Sequence, residues 1–388
     1  MQRFLRVGLE GVKGKVVHHH FRGVSVKTLL FSFSSSRRVI STREGLREVK
    51  AVGNNGSPPE LWDMSPEEWE VYLDGISRDL GYRREDVAFL TTGADVDKFG
   101  VGEGDFEEFR VVSFATAGVA SNAVRVGKDE ASTYEEGGRS HNLGTVNIVL
   151  LTDANLSDGA LAESIITVTE AKVRAFQDLD IRSSYNPMEN QATGTGTDNV
   201  VVVSGGGSLV SYVGGHSKIG ELMAEASYES VKEAVGRQNG IFLGRPMEER
   251  LRERGISLDE LVEAGMEMYV PDPEVGGKKK VGSRLKEEMA RALKDVNVAS
   301  LILAGMKLED DGDSVPGLRG EYRNDPVQLI ADEILGIQIA TYIAGSRALF
   351  EFERIDRRKP GILGKLPPFL DDVLGGLIAG CLVKVCSK

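Results

Sequence analysis

Hydrophobic and polar positions follow two different periods along this chain. Through the first two-thirds, short apolar runs alternate with Gly/Ser/Thr turns. The runs at 28–33, 87–90, 110–114, 145–151 and 199–203 are rich in Val, Ile and Phe, and they predict strands of one mixed sheet. Between them, Ser65-Pro-Glu-Glu68 supplies an N-cap, a first-turn proline and a capping-box glutamate. Trp69, Leu73, Ile76 and Leu80 then recur at helical spacing as a stripe that faces a core. A second helix is expected after Ser157. In the last third the signals become helical: Ser257-Leu-Asp-Glu260 opens a capped helix whose Leu261, Ala264 and Met268 face inward. The shift falls near 236–246. The expected class is therefore α+β, a mixed-sheet N-terminal domain over 1–240 followed by an all-α C-terminal domain over 246–388.

Composition narrows the partners. With 388 residues, 41% hydrophobic and 27% charged, the chain can bury the cores of two globular domains. A net charge of -12 argues against a nucleic-acid partner held by bulk positive charge. Cys381 and Cys386 stand alone near the end, too few for a disulfide framework or a four-cysteine zinc site, which fits a reducing cytoplasm. No secretion signal is read at the start. The apolar stretch 327–350 is interrupted by Asp332, Glu333 and Arg347, and 373–383 is short, so no stable membrane insertion is expected. Nothing in the pattern specifies an oligomer.

Three polar, Gly-rich segments, 115–122, 144–153 and 192–198, sit at strand edges. Glycine permits close backbone approach there, so the hydroxyls of Thr195 and Thr197, loop N–H groups and carboxylates can surround a polar ligand. Gly194 and Gly196 lack dinucleotide spacing and no Walker lysine follows, which removes a nucleotide-binding fold. Adjacent residues of a strand point to opposite faces, so His18-His-His20 does not converge on one metal. No G-x-S-x-G elbow occurs, and neither His141 nor His216 has an evident Ser partner.

Toward the C-terminus, Phe350-Glu-Phe-Glu-Arg-Ile-Asp-Arg-Arg-Lys-Pro360 precedes Asp371-Asp372. Arg354, Arg357, Arg358 and Lys359 can pair a phosphoryl group, while Asp356, Asp371 and Asp372 can hold a hard divalent cation. That is the equipment of metal-assisted phosphoryl hydrolysis. A solvated charged turn between buried helices explains the same residues. Glu309, in the acidic turn 309–313, is a further metal candidate or else part of a solvated loop.

Taken in order, 144–178 with Thr169-Glu-Ala-Lys-Val-Arg174 inside it, 192–198 and Gly214-Gly-His-Ser-Lys-Ile-Gly-Glu221 resemble the adenosylcobinamide amidohydrolase family, over 22–235. The resemblance implies hydrolysis of the amide that joins the aminopropanol arm to the corrin ring, giving adenosylcobyric acid in a corrinoid salvage route. Gly215 departs from the Thr expected in relatives, which weakens a hydroxyl role there. Such chemistry needs an activated nucleophile, a proton for the leaving amine and a hold on the oxyanion. Asp153, Glu170 and Asp198 are candidate bases on water, His216 a proton shuttle, and Asn122 with loop N–H groups an oxyanion site. Glu163, seven residues before Glu170 and on its helix face, reads as an exposed helix charge. No cofactor is assigned to this half.

Asn324-Asp-Pro-Val-Gln-Leu-Ile-Ala-Asp-Glu333, the 354–360 segment and Asp371-Asp372 resemble the phosphatidylglycerophosphatase A superfamily. The closer likeness is to its archaeal-type α-ribazole 5′-phosphate phosphatases, over 246–388. This implies helices, Mg²⁺, an attacking water, metal and catalytic carboxylates at Asp332, Glu333, Asp356, Asp371 and Asp372, and phosphate ligands at Arg354 and Lys359. Asp332 and Glu333 stand about 100° apart on a helix, so one is expected to reach the metal, Glu333 being the lesser candidate. The expected protein is a bifunctional enzyme of cobalamin salvage whose substrates are a corrinoid and ribazole phosphate. The alternatives are a phosphatidylglycerophosphatase in the second half or a non-catalytic corrinoid-binding module in the first.

Overall fold

The computed structural model describes residues 2–62, 64–130, 145–317 and 328–387. The chain divides into two compact units, one of Met1–Asn186 with Asn190–Leu243, the other of Gly244–Lys388 with Pro187–Glu189.

In the first unit β1 (Gln2–Leu5), β2 (Val12–Phe21), β3 (Val24–Ser41) and β4 (Gly45–Gly56) follow one another as an antiparallel meander. Helix α1 (Pro66–Asp79), started by the Ser65–Glu68 capping box, returns the chain so that β5 (Val87–Thr92) pairs with β4 in parallel. The hairpin β6 (Gly100–Phe106) and β7 (Phe109–Ala117) and a short β8 (Ala123–Val124) come next. β9 (Val146–Thr152) leads through β10 (Asn155–Leu156) into α2 (Asp158–Asp178), which is capped by Ser157. β11 (Gly194–Thr195), β12 (Asn199–Val203) and β13 (Leu209–Val210) precede α3 (Lys218–Asn239). β9, α2 and β12 form a crossover that leaves β9 and β12 parallel neighbours, with Asn147 beside Asn199.

Strand β3 organises the sheet. Its first part pairs with β2 and its last residues with β12, while β4 follows its other edge across a register break between Ser32 and Arg37. The nine strands therefore form one mixed sheet in which β4 and β7 are separated by β3, β12 and β9. The Asn54 amide nevertheless donates to Thr116 Oγ1, from β4 to β7, and Asn147 donates to the Thr91 carbonyl, from β9 to β5. Only a sheet curled back on itself allows both. Phe31, Val52, Leu90, Phe114, Val149 and Val201 fill the inside of the curl, α2 and α3 cover an outer face through Leu161, Val168, Phe176 and Val231, and α1 covers another with Leu73 and Ile76. Close packing of α3 on β6 depends on glycine, because a Cβ at Gly100 or Gly102 would overlap the carbonyl of Ser230 or Ala226.

The second unit is helical: α4 (Met247–Glu253), α5 (Leu258–Met268), α6 (Lys278–Ala292), α7 (Val296–Asp310), α8 (Ala331–Ala344), α9 (Arg347–Arg358) and α10 (Pro368–Cys386). Sequence and structure agree on α5, whose capping box and buried Leu261, Ala264 and Met268 are all present. α10 is buried on every face from Pro368 to Leu382, as befits a helix apolar all round, and α5 to α9 pack against it. At the crossing of α8 and α10 the backbones touch, since a Cβ on Gly376 would overlap the Gly336 carbonyl. The α+β class is thus what the structure has, mixed sheet first and helices after. No helix among the described residues is long and apolar enough to cross a membrane.

Candidate active sites

The richest polar cluster of the first unit lies where the parallel strands β9 and β12 begin. Asp198, just before β12, is its hub. Its Oδ2 accepts from Lys172 Nζ and from the Thr195 N–H at 3.1 Å. Its Oδ1 accepts from the Val146 N–H at 3.0 Å and from Thr195 Oγ1 at 2.5 Å. One carboxylate thereby fixes the turn 195–198, the first residue of β9 and a lysine from α2. The Thr197 carbonyl accepts from Thr145 Oγ1 at 2.5 Å, which in turn sits 3.2 Å from Asn147 Oδ1. Asn147 and Asn54 continue the network into the curl, Asn147 Nδ2 donating to Asn54 Oδ1 at 2.8 Å. The Gly196 N–H donates to the Asn122 carbonyl at 3.2 Å, and the Tyr185 hydroxyl donates to Asn122 Oδ1 at 3.1 Å. Asn122, Thr195, Thr197 and Asp198 are therefore brought together, through the pairing of β8 with β11.

The other candidates of this half lie elsewhere. Asp153 follows the end of β9, seven residues and so about 20 Å from Val146, where its Oδ1 accepts the Arg110 N–H at 2.8 Å and shapes a turn. His216 is exposed just before Ser217, the N-cap of α3, and that helix start faces the Asp153 pole. Glu170 is exposed on α2, because two residues along a helix rotate it away from the buried Lys172. Glu163 is not a free helix charge: it is half-buried and accepts the Val213 N–H at 2.8 Å. His18 pairs with Asp97 and His19 with Thr28 Oγ1, on opposite faces of β2. His141 and Gly144 lie outside the described residues.

Lys172 was missed from sequence, although it left a signal. Val168, Ala171, Ala175 and Phe176 are the buried stripe of α2, and position 172 falls inside that stripe. A lysine at a core position needs a partner. Asn147 likewise interrupts the apolar run of β9 on its inward face.

In the second unit, α8 and α10 bring three carboxylates to one place. Ligand oxygens of Asp332, Glu333 and Asp372 lie within 4.8 Å of one another. Both neighbours on α8 contribute a carboxylate to this cluster. Burial, then the Glu333 carboxylate, pushes the proton affinity of Asp332 up; burial, then Asp371, Asp356 and Asp332, does the same to Asp372. Asp332 Oδ2 and Glu333 Oε2 are buried without a hydrogen-bond partner among the described residues. Such orphaned oxygens with mutual repulsion fit a hard divalent cation. Lys359, held at φ 41° after α9, donates to Asp371 Oδ2 at 2.6 Å and lies 3.8 Å from Asp356 Oδ1. Beside this group a cleft of about 370 Å³ runs between Glu333, Glu353 and Asp356 and the apolar walls of Ile337, Leu349, Phe350 and Phe352.

Arg354 does not join them. Two residues from Asp356, it turns to the other side of α9, where it donates to Glu351 and to the Met268 carbonyl at 2.5 Å. Arg357 pairs with Glu353 in solvent. Glu309 is no solvated loop residue: it is buried at the end of α7 and accepts the Phe369 N–H at the start of α10. Residues 324–327 of the first motif lie outside the described residues.

The family model CbiZ, adenosylcobinamide amidohydrolase, matches residues 11–242. The chain is 48% identical over 226 residues to an uncharacterized protein of Methanocaldococcus jannaschii, covering 55% of this chain and 88% of that one. It is 30% identical over 202 residues to the adenosylcobinamide amidohydrolase of Methanosarcina mazei, covering 48% and 84%. Among solved structures it is similar to the low temperature requirement C protein from Listeria monocytogenes, 25% identical with a TM-score of 0.32 over 36% of this chain and 92% of that one. The first unit is accordingly a hydrolase of the amide-cleaving class. The chain belongs to the adenosylcobinamide amidohydrolase family.

Proposed function

We propose that the first unit hydrolyses the aminopropanol amide of adenosylcobinamide to release adenosylcobyric acid. The second unit is, in the same proposal, a Mg²⁺-dependent phosphomonoesterase that converts α-ribazole 5′-phosphate to α-ribazole. The observation that carries the first reading is the Asp198 turn within the family match: it gathers Asn122, Thr195, Thr197 and Lys172 at one pole of the sheet. Water is the nucleophile in this reading, supported by the lack of a Ser or Cys with a histidine partner in that cluster among the described residues. Asn122 and the loop N–H groups orient the substrate amide.

For the second reading the support is the convergence of Asp332, Glu333 and Asp372 beside Lys359. Mg²⁺ held by those three carboxylates would polarise a phosphoryl oxygen and lower the pKa of water. Lys359 supplies a point charge for the phosphate, Asp356 faces the mouth of the cleft, and the walls of Leu349, Phe350 and Phe352 take an aromatic base. A cleft of this volume suits a nucleotide-like molecule rather than a diacyl lipid.

The test uses the full chain with each substrate, with and without EDTA. Adenosylcobyric acid and inorganic phosphate are the expected products, the second lost on chelation. Tight binding of adenosylcobinamide without product would make the first unit a binding module. Faster hydrolysis of phosphatidylglycerophosphate than of α-ribazole 5′-phosphate would replace the second reading by the lipid one.

A further inference from the structure

Lys172 occupies a position of α2 that its neighbours fill with apolar groups, and its side chain is only 11% exposed. An ammonium there is costly unless its charge is used. Its single acceptor among the described residues is Asp198 Oδ2, so one of its three N–H donors is committed and two are not. Asp198 is in the opposite condition. Four donors, Lys172 Nζ, the Thr195 N–H and hydroxyl, and the Val146 N–H, fill the lone pairs of its two oxygens. A carboxylate so occupied has no free lone pair with which to take a proton from water. Glycine lets the turn close onto the ion pair: a Cβ on Gly194 would lie 2.6 Å from Lys172 Nζ and still nearer Asp198 Oδ2. Gly196, in the same turn, is exposed, so the pole opens to solvent beside the pair.

We propose that Lys172 is the catalytic cation that holds the oxyanion in amide hydrolysis, and that Asp198 is its positioning residue rather than the general base. The inference deepens the amidohydrolase reading and rests on it. In the step concerned, the oxygen of water bonds to the amide carbon and the carbonyl π pair moves onto oxygen, where the two uncommitted N–H donors of Lys172 meet it. Collapse restores the carbonyl and breaks the C–N bond. One proton of the water ends on the departing amine, so amide and water give carboxylic acid and amine with no other reactant. A preorganised donor in a water-poor site is worth most where charge develops.

The experiment compares wild type, Lys172→Met and Lys172→Gln for release of adenosylcobyric acid, for the dissociation constant of adenosylcobinamide, and for thermal midpoint. The expected result is a fall in kcat of about 10²–10³-fold for Lys172→Met, with the dissociation constant changed by less than about threefold, and a smaller fall for Lys172→Gln, which keeps a neutral donor. A kcat within about threefold of wild type in a folded variant overturns the inference, as does a loss that merely follows the fraction of protein able to bind substrate. Should both variants fail to fold, wild type decides: a phosphonate analogue with a tetrahedral anion at the reacting carbon must bind at least about 10²-fold tighter than substrate, and equal binding overturns the proposal. Wild type that makes no adenosylcobyric acid sinks the amidohydrolase reading instead, which separates the two failures.

Discussion

Replacing Asp198 by Asn tests whether one carboxylate holds the amidohydrolase pole together. The amide keeps the volume but presents an NH₂ group to two of the four present donors, and it removes the charge opposite Lys172. Both side chains are well shielded, 11% exposed for Lys172 and 16% for Asp198, so the ammonium is left as a largely buried, unpaired charge. Breaking one partner of such a pair costs about 3–5 kcal/mol. For a unit of this size each kcal/mol lowers the midpoint by about 2–4 °C, so a fall of roughly 6–20 °C is expected. Thermal unfolding followed by circular dichroism measures it. The companion variant Lys172→Met should recover part of the loss in Asp198→Asn, with a coupling of about 1–3 kcal/mol across the double-mutant cycle. A destabilisation below about 1 kcal/mol, or strict additivity, would show that the 195–198 turn stands without this hub, and the reasoning would fail.

Three further outcomes follow from the geometry. Mg²⁺ at a hundred times its dissociation constant should stabilise the second unit by about 2.7 kcal/mol, seen as a raised midpoint that Asp332→Asn abolishes along with phosphate release. Gly336→Ala places a methyl 2.5 Å from the Asp372 carbonyl and from the Phe352 ring, so it should part α8 from α10, cost about 1–3 kcal/mol and depress phosphatase activity while leaving amide hydrolysis intact. His19, whose burial holds its pKa below the usual 6.5, takes its proton first in the unfolded chain. The stability it contributes is therefore complete above pH 6.5 and is lost as pH falls through the lower folded value. Urea midpoints at pH 7.5 and 5.5 should differ less in His19→Gln than in wild type, and an equal difference would refute that assignment.

The elements legible in the sequence were those whose local chemistry and burial agree. The capping boxes at Ser65 and Ser257 and the N-cap at Ser157 mark helices that the structure begins at those residues. Val/Ile-rich strands such as β9 and β12 are buried on both faces and read as continuous apolar runs. By contrast β6 was invisible, because its glycines answer to α3 lying against it and not to strand propensity. β4 was also missed, since the Asn54–Asn55 pair breaks the pattern for a reason that lies across the curl, and of β2 only His18–His20 was read as strand. The same holds for the site. The 192–198 turn could be picked out by its glycines and threonines, whereas the separation of Asp153 and His216 from it became visible only once the strand direction placed them at the opposite pole. In the second half, the three-residue offset between Asp356 and Lys359 kept both near Asp371, while the two-residue offset of Arg354 carried it away.

Parallel strands flanked by helices usually receive ligands at their carboxyl ends. In β9 and β12 that end is closed by backbone, with Gly205 packed so tightly on Asp153 that a Cβ would overlap the Asp153 carbonyl, and with the Gly207 N–H donating to the same carbonyl at 2.8 Å. In the proposed reading the polarity of this crossover is reversed, and its two poles carry different evolutionary freedom. Loops around 204–209 can lengthen, shorten or accept an inserted tag with little effect on the polar cluster about 20 Å away. Between Thr195 and Asp198, a single inserted residue would shift the carboxylate out of register with Val146 and Lys172 together.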